Sequence, residues 1–231
     1  MKGLDISCWQ EGLNLSDVKA AGYDFVIIKA GGSDDGFYTD SCFEDFYKQA
    51  KEVGLHVGAY YFVGSNFVSD VDGVADAERF IDILGDKTFD MPVYVDIETT
   101  APEDREGATT AAVAFCDTME DAGFFCGIYA SEYAGFCDRL EADALTRFTW
   151  WVAAWGDVEP YIPWGIWQYS DNGNVSGFTV DLNIAADDFP EIIVDGGFNN
   201  YGGVPDTSDP IIEQLHHIRD EIDTLITYVE R

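Results

Sequence analysis

Histidine is nearly missing from this chain: His56 stands alone, and His216-His217 is the only other occurrence. A His-rich metal site or a Ser-His-Asp triad therefore has almost nothing to be built from. Basic residues are also scarce, with 12 lysines and arginines against 44 acids and a formal charge of −32. That charge repels phosphate backbones and anionic bilayers at long range, which argues against nucleic-acid and membrane partners. The cysteines, Cys8, Cys42, Cys116, Cys126 and Cys137, are odd in number, scattered and mostly set among apolar neighbours. They match neither a disulfide framework nor a metal knuckle, so reduced, buried thiols are expected. No run approaches the ~18 apolar residues of a membrane span. No P-loop, dinucleotide glycine motif or G-x-S-x-G occurs, and neither metal nor cofactor is expected. The chain enters a strand-like Gly3-Leu4-Asp5-Ile6-Ser7 without a charged-then-apolar leader, so nothing in it is expected to direct secretion.

What the chain does have is apolar and aromatic residues, 47% and 15% of the total, enough for the core of one barrel-sized domain. Three stretches share a helical run ending in Gly with a strand close behind: Ala20-Ala21-Gly22, Glu52-Val53-Gly54 and Asp121-Ala122-Gly123. Glycine just past a helix is the left-handed cap, so these read as helix-to-strand junctions of a parallel sheet. Strands are expected near 3–8, 24–31, 56–63, 92–98, 124–130, 149–155, 164–170 and 178–183. Helices are expected near 15–21, 41–53, 69–84 and 108–122. The connections 156–163 and 171–177 are too short for crossover helices and should be irregular. The fold class is α/β: a modified TIM-like (β/α) barrel of eight strands with fewer helices than the full set, plus a C-terminal helical tail.

Pro92-Val93-Tyr94-Val95-Asp96-Ile97-Glu98 organises the rest. A period-2 strand buries Val93, Val95 and Ile97 on one side and aims Asp96 and Glu98 to the other, where neighbouring carboxyls push their proton affinities apart. Barrel chemistry sits at the C-terminal ends of strands, so Asp5 of the first strand and Asp181 of the last should join them at one mouth. Tyr60, Tyr61, Tyr129, Trp151, Trp155, Trp167 and Tyr169 fall at the same ends, as core or as walls for sugar rings. Lys29, if it points inward, is either a counter-charge to the acids or a structural ion pair.

In order along residues 3–190, Asp5-Ile6-Ser7-x-Trp9-Gln10, Phe25 to Ala30, Gly58-Ala59-Tyr60-x-Phe62, Val95-Asp96-Ile97-Glu98, Trp151 to Gly156, Trp167-Gln168-Tyr169-Ser170 and Val180-Asp181-Leu182-Asn183 resemble the glycoside hydrolase family 25 lysozymes. The resemblance implies hydrolysis of the β-1,4 bond after N-acetylmuramic acid in peptidoglycan. It makes Glu98 the general acid, Asp96 its partner, Asp5 and Asp181 supporting carboxylates, and Tyr60, Tyr61, Lys29, Tyr129, Trp155 and Gln168 substrate-binding residues. Tyr61 stands where the family commonly has His. Asp96 acts either as nucleophile or by steadying the substrate's own N-acetyl group, the second being favoured. A barrel that binds cell-wall carbohydrate with little catalysis is the alternative. A polysaccharide deacetylase would need His ligands that are missing. The implied place of action is the bacterial cell wall, reached from the cytoplasm on release, as for a phage lysin, or by a leaderless or trimmed route.

The expected domains are a barrel over 1–194, a Gly-rich linker over 195–208 and an amphipathic helix over 209–231. Asp209-Pro210 reads as N-cap and first turn. Ile211, Leu215, Ile218, Ile222, Leu225 and Val229 follow at alternating spacings of four and three. That seam either self-associates as a coiled coil, making a homo-oligomer, or folds back on the barrel. Its narrowness favours self-association.

Overall fold

A computed structural model describes residues 1–202; residues 203–208 of the expected linker and the expected helix over 209–231 lie outside them. Nine strands run β1 (Lys2–Ile6), β2 (Phe25–Gly32), β3 (Tyr38–Thr39), β4 (His56–Phe62), β5 (Val93–Asp96), β6 (Cys126–Ser131), β7 (Thr149–Ala153), β8 (Ile166–Val175) and β9 (Phe178–Ala185). Their order is β1-β9-β8-β7-β6-β5-β4-β2-β3, and β1 also pairs with β2. Eight strands thus close a barrel, with β3 a short antiparallel flap on β2. Between them lie α1 (Leu15–Ala20), α2 (Phe43–Val53), α3 (Asp70–Leu84) and α4 (Arg105–Asp121); α5 (Phe189–Gly196) follows β9. The glycines expected to stop helices, Gly22, Gly54 and Gly123, all have positive φ.

Strand alternation sorts the core into two shells. Val93, Val95 and Ile97 belong to the shell between barrel and helices, while Tyr94 joins Phe25, Ile27, Tyr129 and Trp151 inside the barrel. Phe189 and Ile193 of α5 pack with Met91 and Ala185 in this inner group and close the N-terminal end of the barrel.

Three expectations need correction. The last strand is not parallel: β8 and β9 form an antiparallel hairpin through Ser176 and Gly177, so residues 171–177 are mostly regular strand. β9 then runs antiparallel to β1 as well. The boundary at residue 194 falls inside α5, and Gly197, at φ 71°, is a left-handed helix stop rather than the start of a loose linker. Beyond it Asn199 is fully buried, accepting from Phe125 N–H at 2.7 Å and donating to the carbonyls of Phe89 and Met91 at 3.0 and 3.1 Å. The packed structure therefore continues past residue 194. Finally, Cys42, Cys116 and Cys126 are buried free thiols, but Cys8 and Cys137 are exposed. Among the described residues no helix is long and apolar enough to cross a membrane.

Candidate active site

The four acids meet at the mouth formed by the C-terminal ends of the parallel strands. Asp96 ends β5 and Glu98 lies two residues on. Asp5 sits near the end of β1, and Asp181, although on a strand of opposite direction, is its direct partner in the β1–β9 register. All four line a cavity of about 310 Å³ with Lys29, Tyr60, Tyr129 and Gln168. Ser7, Trp9, Asp34, Phe62 and Trp151 complete it.

A hydrogen-bond chain fixes the floor. Trp151 Nε1 donates to Asn183 Oδ1 at 2.8 Å, and Asn183 Nδ2 donates to Asp5 Oδ2 at 2.7 Å. Gln168 Nε2 donates to Asp5 Oδ2 at 3.1 Å and Asp181 Oδ2 at 3.3 Å. Its Oε1 accepts from the Tyr129 hydroxyl and from Trp155 Nε1, both at 3.0 Å. Every Gln168 amide contact is thereby assigned, which sets its orientation.

Burial dominates the electrostatics. It raises Asp5 to about 7 with help from the Asp181 charge, against the Asn183 and Gln168 hydrogen bonds. It raises Asp181 to about 6, with Asp171 and Glu98 adding to the effect. Asp96, 4% exposed, is pushed well above the carboxylate range by burial and by Glu98, and Lys29 only partly offsets this. Glu98 is solvent-accessible, yet the cavity walls displace enough water to raise it too; Tyr129, Lys29 and Arg139 pull it back. Burial thus favours the protonated form of both carboxyls. Asp96 Oδ1 is buried with no hydrogen-bond partner.

Lys29 Nζ lies 4.4 Å from the Phe62 ring centroid, 5.5 Å from that of Tyr38 and 6.0 Å from that of Tyr60. It makes no direct ion pair among the described residues and acts on the acids through space. Tyr61 is a correction: it points out of the barrel, is fully buried against Phe80 and Phe115, and donates to Asp76 Oδ1 at 3.2 Å. Alternation along β4 sends Tyr60 inward and must send its neighbour outward. Trp155 lies outside the cavity wall and touches it only through Gln168. Trp9, 87% exposed at the rim, and Asp34, in the turn after β2, join the site without having been singled out for it. Trp9 stands in the first motif quoted above; no sequence signal marks Asp34. Among the described residues no group of three His, Cys, Asp or Glu is arranged to hold a metal ion.

A model of the family described as glycosyl hydrolases family 25 matches residues 4–178. An autolytic lysozyme of Clostridium acetobutylicum is 30% identical over 199 residues, covering 85% of this chain and 58% of its own. Lysozyme M1 of Streptomyces globisporus is 29% identical over 203 residues, covering 79% and 66%. The chain thus spans less than two thirds of the length of either. Among solved structures, a bacterial lysozyme from Streptomyces coelicolor superposes with a TM-score of 0.66 at 27% identity, covering 81% of this chain and 92% of that one.

Proposed function

Because this chain belongs to glycosyl hydrolase family 25, we propose that it hydrolyses the β-1,4 bond between N-acetylmuramic acid and N-acetylglucosamine in the peptidoglycan of bacterial cell walls. The observation that carries the reading is the unpartnered, buried Oδ1 of Asp96 beside Glu98. A buried acceptor without a donor costs roughly 1–3 kcal/mol, and an acetamido N–H on the substrate supplies that donor.

The mechanism follows from where the proton goes. An N–H bond to Asp96 stabilises its charged form, and the sugar ring expels water from around Glu98, which disfavours the charge there. Both effects favour the proton on Glu98. Glu98 then gives it to the leaving glycosidic oxygen, while Asp96, now anionic, holds the acetamido group as its oxygen attacks the anomeric carbon. Water opens the resulting cyclic intermediate with net retention. Burial keeps both proton affinities high, and the Asp5 charge adds a smaller push on Asp96. The apolar seam in residues 209–231 supports a self-associating segment, which would keep several barrels on one repeating polymer.

Digestion of defined peptidoglycan, followed by reduction and mass analysis of the new ends, tests the reading. Muramic-acid reducing ends are expected, and glucosamine ends would rule it out. Glu98→Gln should lower the rate at least a hundredfold while glycan binding persists. A binding-only barrel would release no ends even as the parent chain.

A further inference from the structure

The walls of the catalytic cavity continue beyond the carboxyls. Tyr129 and Trp151 line it, and two residues further along the same strands Ser131 and Ala153 are paired at the ends of β6 and β7. Strand periodicity carries the same face outward by one step. There a second hollow of about 510 Å³ opens between the π-helical turn Glu132–Cys137 and the loop that follows β7. The two meet at Trp155, which lines the outer hollow and donates to Gln168, the residue that holds Asp5 and Asp181. The outer hollow is pinned in shape: Glu132, 7% exposed, accepts a hydrogen bond from the backbone N–H of Tyr161 and ties the two loops together.

Its chemistry differs from that of the inner cavity. Tyr133, Trp155 and Tyr161 present open rings, 67%, 61% and 83% exposed. The ionisable acids and bases on its walls are Glu132, Asp157 and Glu159, with no lysine or arginine. Aromatic faces edged by carboxylates attract an ammonium through the ring quadrupoles and through charge, and they repel a carboxylate. A polymer cut in the inner cavity extends past it, and peptide branches of peptidoglycan carry side-chain amines that are either free or closed by a cross-link.

We propose that the outer hollow is a subsite for the free amino group of a peptide branch, so that the protein favours chains whose branch amines are open over chains whose amines are acylated. This rests on the reading of the inner cavity as a peptidoglycan-cleaving site.

The test compares three substrates: uncross-linked peptidoglycan chains with free branch amines, the same chains after N-acetylation, and glycan stripped of peptide. kcat and KM are measured for the full chain and for the Asp157→Asn/Glu159→Gln double variant, both positions being exposed. Acetylation should raise KM about five- to tenfold with kcat unchanged, and the double variant should lose that discrimination. Equal KM for free and acetylated chains overturns the subsite but leaves the hydrolytic reading standing. Stripped glycan that binds as tightly as the free-amine chain assigns the hollow to sugar rings and overturns it also. No new reducing ends from any of the three overturns both.

Discussion

At neutral pH Asp5 is held close to its midpoint, because burial and the neighbouring Asp181 raise it to about 7. A carboxyl whose folded pKa lies above its unfolded value binds more protons folded than unfolded, so its contribution to stability falls as pH rises from about 4 to about 7. Asp5→Asn removes that penalty. The variant should be more stable than the parent at pH 8, by on the order of 1–3 kcal/mol in denaturant titrations, with little difference at pH 4 and with hydrolysis severely impaired. A variant that is less stable at pH 8 would contradict the picture of a strained acid cluster. Tyr61 makes the opposite case. Its hydroxyl serves buried Asp76 behind the barrel wall, so Tyr61→Phe should cost about 1–2 kcal/mol of stability and leave kcat within twofold. Tyr129→Phe should instead lower kcat, because that hydroxyl has one proton to give between Gln168 and Glu98. Asp96, Glu98, Asp5 and Asp181 were legible from strand parity and barrel closure. The outward turn of Tyr61 follows from alternation along β4, which the likeness to a family does not carry, and the burial of Asp96 is not written in a D-x-E.

Helix stops were legible at Gly22, Gly54 and Gly123, and β2, β4 and β6 follow them as expected. The hairpin of β8 and β9 is marked in the sequence only by the turn signal Ser176-Gly177, which the repeating helix-to-strand pattern before it obscures. The α5 helix has its own start signals, Asp188 accepting from Glu191 N–H and Pro190 in the first turn, and Gly196-Gly197 reads as a linker by composition alone. The energetics of that segment are testable. Asn199→Ala orphans the Phe125 N–H and the Phe89 and Met91 carbonyls at a fully buried position, and should cost about 3 kcal/mol. A chain ending at Val194 should unfold at clearly lower denaturant than one ending at Gly202. Equal midpoints would return residues 195–202 to the role of a linker.

For the molecule as a whole, the formal charge of −32 opposes approach to a polyanionic wall. Added salt shortens the Debye length to ~8 Å near physiological strength and should speed lysis of such walls; a rate that falls steadily with salt would count against this. The antiparallel closure of the barrel has a further consequence during synthesis. β1 is made first and pairs with β2, but its other edge waits for β9, and the Asn183–Asp5 bond spans 178 residues. At ~5–20 residues per second that edge stands open on the ribosome for about 10–40 s. An open edge invites pairing with other chains, and charged residues along it discourage that. β1 carries Lys2 and Asp5 within its five residues. The acid cluster cannot exist on any chain that has not yet reached its last strand.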